Sequence, residues 1–391
     1  MSPDKFVKLS SSYFWYFAIL GLIVPFLPVF LDAKQFSSIE IGEILAIITA
    51  TKIIGPTFWA FAADKSGKQL PIIRSGSLLA LLSFAMLIWL NGYWPIVFCL
   101  AVFSLFWTAV LPQLEVLTLN TIRRSAKIYA RIRLWGSIGF IFLAVVAGDL
   151  IERYSADAFT YLGVFVLAGL FLSSMKLKPV RSNKSSSQSN GKMSDKIFSR
   201  SFMFFFIAGL MLQMSFGPYY GFFALYLREL NYPGFAVGIF ITISVVAEIL
   251  VFIYASVFFR YFRIKTLLAI SILLTAFRWF MTGSFADIIW ILVLVQCIHA
   301  LSFGLYHSVS IQFIHQHFNN DQQNRGQAIY IGGVYGLGGA IGAYIAGIVW
   351  QGGEGSELAY NLAAFAAFIG FLFVLFMQDK KIQRQPSKSL Y

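Results

Sequence analysis

Glu115 and Arg133 stand nine positions either side of Arg124 in PQLEVLTLNTIRRSAKIYARIRLWGSIGF, Pro112 to Phe140. The stretch reads as an apolar helix, a basic turn with Arg123, Arg124 and Lys127, and a second apolar helix. In an antiparallel pair the two side chains share a depth, roughly 13 Å from the tip at 1.5 Å per residue. If the helices cross a membrane, that depth is hydrocarbon, where a carboxylate and a guanidinium are costly and mark a functional pathway.

Four more ionisable residues lie deep in apolar segments: Lys52, Glu248, Arg278 and His299. Lys52 and Glu248 are 196 positions apart and opposite in sign, and Glu248 and Arg278 stand fifteen positions either side of Arg263, so they too share a depth. A carboxylate with an arginine partner can release and regain its charge, whereas a static buried pair would only fix packing. Gln296, His299, Phe303, Tyr306, His307 and Ser310 follow helical spacing. A histidine on such a stripe suits proton coupling, and reads equally as a neutral core residue. His315 and His317 are expected in solvent. Zinc-protease spacing, a phosphate loop and a nucleophile elbow are absent, so no enzyme is expected.

The elements that must hold these residues are membrane helices. The chain of 391 residues is 58% apolar, 18% aromatic and 12% charged, with a mean hydropathy of +0.74. Too little polar surface remains to cover a soluble fold. Cys99 and Cys297 both sit in apolar runs, which supports neither a disulfide framework nor a metal site. Twelve spanning segments are predicted, at about 9–31, 40–63, 70–90, 94–120, 129–149, 158–175, 202–227, 234–259, 264–283, 288–314, 326–350 and 357–377.

A Ser-rich basic stretch divides them six and six. The expected organisation is an N-terminal bundle (1–175), a cytoplasmic linker (176–200), a C-terminal bundle (201–378) and a cytoplasmic tail (379–391). An internal repeat supports the division: FLPVFLDAKQFSSIEIGEI from Phe26 aligns with FFALYLRELNYPGFAVGIF from Phe222 at the same offset of 196, carrying Gly42 onto Gly238 and Gly136 onto Gly332. Two pseudo-symmetric halves suit a rocking transporter with its site between them. Glycines spaced by four around Gly332 to Gly342 allow close, sliding contacts.

The net charge of +13 follows topology rather than nucleic acid. Of the 30 Lys and Arg, only Lys34, Arg153 and Arg228 fall in connections on one side, and Lys52, Arg133 and Arg278 fall inside the helices. Both termini are therefore expected in the cytoplasm, in a multi-pass protein of the inner (plasma) membrane. The first apolar run is expected to be a membrane helix rather than a cleaved leader.

The connection AFAADKSGKQL, Ala60 to Leu70, resembles the signature of the major facilitator superfamily, Gly-x-Leu-Ala-Asp-Arg-x-Gly-Arg-Lys. Asp64, Lys65, Gly67 and Lys68 match it and Ala60 stands where the signature has Gly, which implies a latch at the cytoplasmic gate. YARIRLWGSIGF is similar to the start of the fifth helix in lactose permease-type proton symporters, and Glu115 keeps the separation from Arg133 of the carboxylate and arginine that clasp sugar there. Ser137 and Phe140 fall where that family has a cysteine and a sugar-stacking tryptophan. Its Lys-x-x-His-x-x-Glu becomes Gln296, His299 and Ser302 here, so the proton-carrying carboxylate at that place is missing. Glu248 and Arg278 match its carboxylate and arginine on the eighth and ninth helices.

Over nearly the whole chain the sequence resembles the phenylpropionate permease branch, through FWYFAILGLIVPFLPVFL, IIGPTFWAFAADKSG, LPQLE, CIHALSFGLYHS and RGQAIYIGGVYGLGGAIG. The resemblance implies an all-α fold of twelve helices in two six-helix bundles. It also implies a monomer importing a small solute together with a proton by alternating access, with the proton gradient as energy source and no cofactor. Glu115, Arg133, Ser137, Phe140 and His299 are the expected substrate residues, the solute being an aromatic carboxylate such as phenylpropionate. Glu248, Arg278, His299 and Lys52 are the expected proton-coupling residues. A sugar or nucleoside symporter, a drug/proton antiporter and a non-transporting membrane sensor are the alternatives.

Overall fold

The computed structural model describes residues 2–66, 69–122, 125–179, 193–319 and 322–378. Among the described residues, twelve long helices follow one another: α1 Pro3–Ala33, α2 Ser38–Ser66, α3 Gln69–Ile88, α4 Tyr93–Thr121, α5 Ala126–Arg153, α6 Ala158–Met175, α7 Arg200–Glu229, α8 Gly234–Tyr261, α9 Ile264–Phe285, α10 Ile289–His317, α11 Arg325–Gly353 and α12 Ser356–Leu375. Among the described residues, 11 helices are long and apolar enough to cross a membrane by length and composition. Most of the expected linker (180–192) and the expected tail (379–391) lie outside the described residues.

Proline chemistry sets the bends. Pro112 has no N–H for the carbonyl of Thr108, and α4 breaks at Thr108 and Ala109. Pro218 does the same to Met214, and α7 breaks at Phe216. In α10 and α11 the winding loosens to π-helix over Ala300–Leu305 and Ile331–Gly338. Such segments are rare and collect at functional sites.

The packing repeats itself. In the first half α1 lies on α5 and α6, α3 on α4 and α6, and α2 on α4; in the second, α7 lies on α11 and α12, α9 on α10 and α12, and α8 on α10. The halves meet through α1 with α7 and through two equivalent pairs, α5 with α8 and α2 with α11. Gly42 and Gly238, joined by the repeat in sequence, occupy those two pairs. A Cβ on Gly42 would lie 2.8 Å from the carbonyl oxygen of Ala343, and one on Gly238 2.6 Å from Val145 Cα.

These contacts seal the far end of the molecule, where α1 gives way to α2. At the near end, where α1 begins, the last turns of α4 pack on α2 and α3, and those of α10 on α9 and α11, each within its own half. The described residues thus leave a cleft between the halves that opens toward the near end.

Candidate functional site

Arg133, Ser137, Phe140 and Ala144 follow one another along one face of α5. Ala144 touches Gly238 of α8 and the backbone of Phe140 touches Gly21 of α1, so this face runs between α1 and α8 into the cleft. Arg133 is half-buried there, its Cζ 3.7 Å from the centroid of the Phe17 ring. The stacking depends on Gly136, since a Cβ at that position would lie 2.6 Å from Phe17 Cδ2 and 2.9 Å from Arg133 Nη1. Ser137 and Phe140 are half-buried further along.

Glu115, on α4, is half-buried, and its Oε1 accepts a hydrogen bond of 3.1 Å from the Tyr129 hydroxyl. Its charge and that of Arg133 interact, and both reach Tyr13 and Tyr16 of α1. No carboxylate among the described residues lies within the 4.0 Å ion-pair distance of Arg133. The sequence-matched pair thus shares a region without closing on itself.

From the second half comes Glu248 of α8, packed so closely on α10 that a Cβ on Gly304 would lie 2.8 Å from Glu248 Cγ. In the α5 and α8 pair Gly148 faces Gly234 and Ala144 faces Gly238, an antiparallel register that brings Arg133 to the level of Glu248. Among the described residues, Arg133 is a charged group that acts on Glu248. One guanidinium therefore sits in the field of two carboxylates, one from each half. Tyr220 of α7, 36% exposed, and Tyr335 of α11 both feel the Glu248 charge. Tyr335 is bonded to His307 Nδ1 at 3.0 Å and stands edge-on to Phe303, with centroids 6.1 Å apart.

Lys52 is exposed at mid-helix. Its neighbours Ile53 and Thr51 face Gly336 of α11 and Ser104 of α4 respectively, while the exposed Ile54, Phe58 and Phe61 occupy the opposite, outer side. The lysine consequently projects into the cleft.

Arg278 and His299 are placed differently. Arg278 is fully buried: its Nε donates to the Val295 carbonyl at 2.9 Å and its Nη2 to Gln296 Oε1 at 3.4 Å. Its Cζ lies 4.3 Å from the Tyr219 centroid and 4.2 Å from that of Trp279. Gln296 Oε1 also accepts from the Tyr219 and Ser244 hydroxyls at 3.0 and 2.5 Å. His299, 5% exposed, is stacked on Phe303 at 5.3 Å, and its Nδ1 has no hydrogen-bond partner among the described residues. The pairing of Glu248 with Arg278 expected from common depth does not form, because Arg278 turns into the aromatic interior of its own half.

Of the gate motif, Gly67 and Lys68 and the side chains of Asp64 and Lys65 lie outside the described residues. The structure adds Phe17, Tyr220, Tyr335 and a bonded His307 to the cleft. Phe17 gives no sign of this in sequence, whereas Tyr335 sits in the glycine-rich run of α11 and His307 on the polar stripe of α10.

Comparison with known proteins fits this architecture. Over 348 residues the chain is 26% identical to the probable 3-phenylpropionic acid transporter of Escherichia coli (strain K12), covering 88% of this chain and 90% of that protein. It is 22% identical over 376 residues to the maltose permease of Geobacillus stearothermophilus, covering 94% and 93%. The crystal structure of the nucleoside transporter NupG superposes with a TM-score of 0.86 at 17% identity, over 97% of this chain and all of that one. A sequence model of the MFS_1 like family matches residues 6–362. The chain belongs to the MFS_1 like family and is a membrane transporter, not an enzyme.

Proposed function

We propose that the protein is a proton symporter that imports a small aromatic carboxylate by alternating access. The observation that carries this reading is Arg133: half-buried in the cleft, its Cζ 3.7 Å over the Phe17 ring, and without a carboxylate in ion-pair contact among the described residues. A guanidinium whose face is taken by a ring offers its N–H edge, the geometry that receives a carboxylate in two parallel hydrogen bonds. Phe140, Tyr220 and Phe303 supply apolar surface for the ring of the solute. The probable 3-phenylpropionic acid transporter among the relatives handles such a compound.

Glu248 is the proton carrier in this scheme. It lies in the cleft at the level of Arg133 and belongs to the opposite half, so its interaction with Arg133 changes as the halves rock. An arriving carboxylate competes for Arg133 and frees Glu248 to hold a proton, which ties solute to proton. Glu115, held by Tyr129, senses the same competition from the first half.

A second reading is a sugar or nucleoside symporter, favoured by the Glu115 carboxylate, held by Tyr129 and in the field of Tyr13 and Tyr16 of α1, groups suited to hydroxyls, and by the maltose permease among the relatives. Uptake of labelled 3-phenylpropionate, maltose and a nucleoside into proteoliposomes, with and without an imposed pH gradient, separates the two. Gradient-driven accumulation of the acid alone supports the first reading; accumulation of maltose or nucleoside alone rejects it.

A further inference from the structure

Among the described residues, the far-end seal contains a charge-assisted hydrogen bond that crosses between the halves, beside the longer-range attraction of Asp32 on α1 and Arg228 on α7. Helix α8 begins at Gly234 behind Pro233, a residue with no side-chain acceptor, and no side chain of its own segment caps it. The N–H of Gly234 donates instead to Glu152 Oε2 at 2.7 Å, from the last turn of α5 in the other half. There is no slack around it, since a Cβ on Gly234 would lie 2.5 Å from the Gly148 carbonyl oxygen and 3.2 Å from Glu152 Cβ.

The pseudo-symmetric place is built otherwise. Ser38, the partner of Gly234 under the 196-residue offset, accepts a neutral hydrogen bond of 2.9 Å from the Gly352 N–H, and the start of α2 is capped locally by Ser37 and Glu40. The charged groups around Glu152 are already engaged. Arg153 holds Asp149 at 2.8 Å on the same helix, and Lys34, just past the end of α1, holds Asp157 of the α5 to α6 connection at 3.2 Å. Tyr232, in the connection before α8, donates to the carbonyls of Ala286 and Asp287. Glu152 has no ion-pair partner among the described residues, and its carboxylate is directed at the start of α8.

We infer that Glu152 is a latch between the halves: its carboxylate caps the α8 N-terminus only while the far end is shut, and so weights the molecule toward the conformer open at the near end. A negative oxygen at a helix start gains from both the charge-assisted hydrogen bond and the helix dipole. Both gains are lost when α5 and α8 part, whereas interactions kept within one half do not bias the equilibrium. The inference rests on alternating access, and it is independent of which solute is carried.

The test is a distance measurement across the far end without solute. Spin labels at Ser155→Cys and Glu354→Cys, both exposed and on opposite halves, are read by double electron–electron resonance in nanodiscs, with the exposed Cys297 replaced by serine. Glu152→Gln keeps the shape and an acceptor oxygen and removes the charge. The expected result is about a tenfold rise in the ratio of long to short distances, equivalent to ~1.4 kcal/mol, with unchanged helicity. Asp149→Asn, which removes a nearby charge bound only to Arg153, leaves the ratio unchanged. An unaltered ratio in Glu152→Gln, or an equal rise in Asp149→Asn, overturns the latch. A wild-type protein that fails to accumulate solute would count against the proposed transport and leave this readout intact.

Discussion

Placing a side chain at Gly238 tests the geometry of the seal. A Cβ there would lie 2.6 Å from both the carbonyl carbon of Ala144 and Val145 Cα, backbone atoms of α5 that cannot turn aside. Gly238→Val adds two methyls beyond that Cβ, and relief requires α8 to move from α5 by about the 1 Å that separates such an overlap from ordinary contact. Overpacking of this kind costs about 1–3 kcal/mol in a packed interior. Because the cost falls only on the conformer shut at the far end, the ratio of far-end-open to far-end-shut molecules rises roughly fivefold to 150-fold. The same spin-label pair reads the shift. Gly221→Ala is the control: its Cβ would meet only Leu45 Cδ1, at 3.2 Å, the movable tip of a side chain. A Gly238→Val distance distribution like that of the wild type would refute the assignment of α5 and α8 to the seal.

Arg133→Lys, which keeps the charge and loses the planar fork and the stacking on Phe17, is expected to weaken aromatic carboxylate binding about tenfold to a hundredfold, or ~1.4–2.8 kcal/mol; tryptophan-fluorescence titration against 3-phenylpropionate measures it. Glu248→Gln is expected to retain solute exchange between equal concentrations on both sides and to lose accumulation driven by a pH gradient, which counterflow and gradient assays distinguish. Arg278→Gln removes the hydrogen bond to Val295 and the contacts with Tyr219 and Trp279, and its main effect is expected in stability, a loss of about 2–4 kcal/mol. A lowered thermal midpoint with solute selectivity unchanged is the result that checks it.

The parts of this structure that depend on one coordinate along the chain were legible in the sequence. Segment positions, the repeat and the equivalence of Gly42 with Gly238 follow from apolar length and a constant offset, and the helices and their cross-half contacts agree with them. Depth is also such a coordinate, and it placed Arg133 and Glu115 in one region. The direction a side chain takes around its helix is a second coordinate, and depth says nothing of it. Arg278 therefore turned into the rings of Tyr219 and Trp279 rather than toward Glu248. The π segments compound this. Loosened winding between His299 and Tyr306 rotates one part of the α10 stripe against the other, so a stripe counted at α-helical spacing did not foresee that His299 would be sealed behind aromatic rings while His307 reaches Tyr335 of α11. Phe17 was missed for a simpler reason: one more phenylalanine among 42 carries no signal.

In the proposed cycle a carboxylate taken by Arg133 and a proton taken by Glu248 cross together. The most direct measurement adds 3-phenylpropionate to proteoliposomes enclosing a pH-sensitive dye, with no imposed gradient, and compares the wild type with Arg133→Gln, Glu248→Gln and protein-free liposomes. The expected result is rapid internal acidification in the wild type that exceeds the passive rate of the protein-free vesicles and falls to that rate in both variants. Acidification at the passive rate in the wild type, or at the wild-type rate in Glu248→Gln, would contradict it.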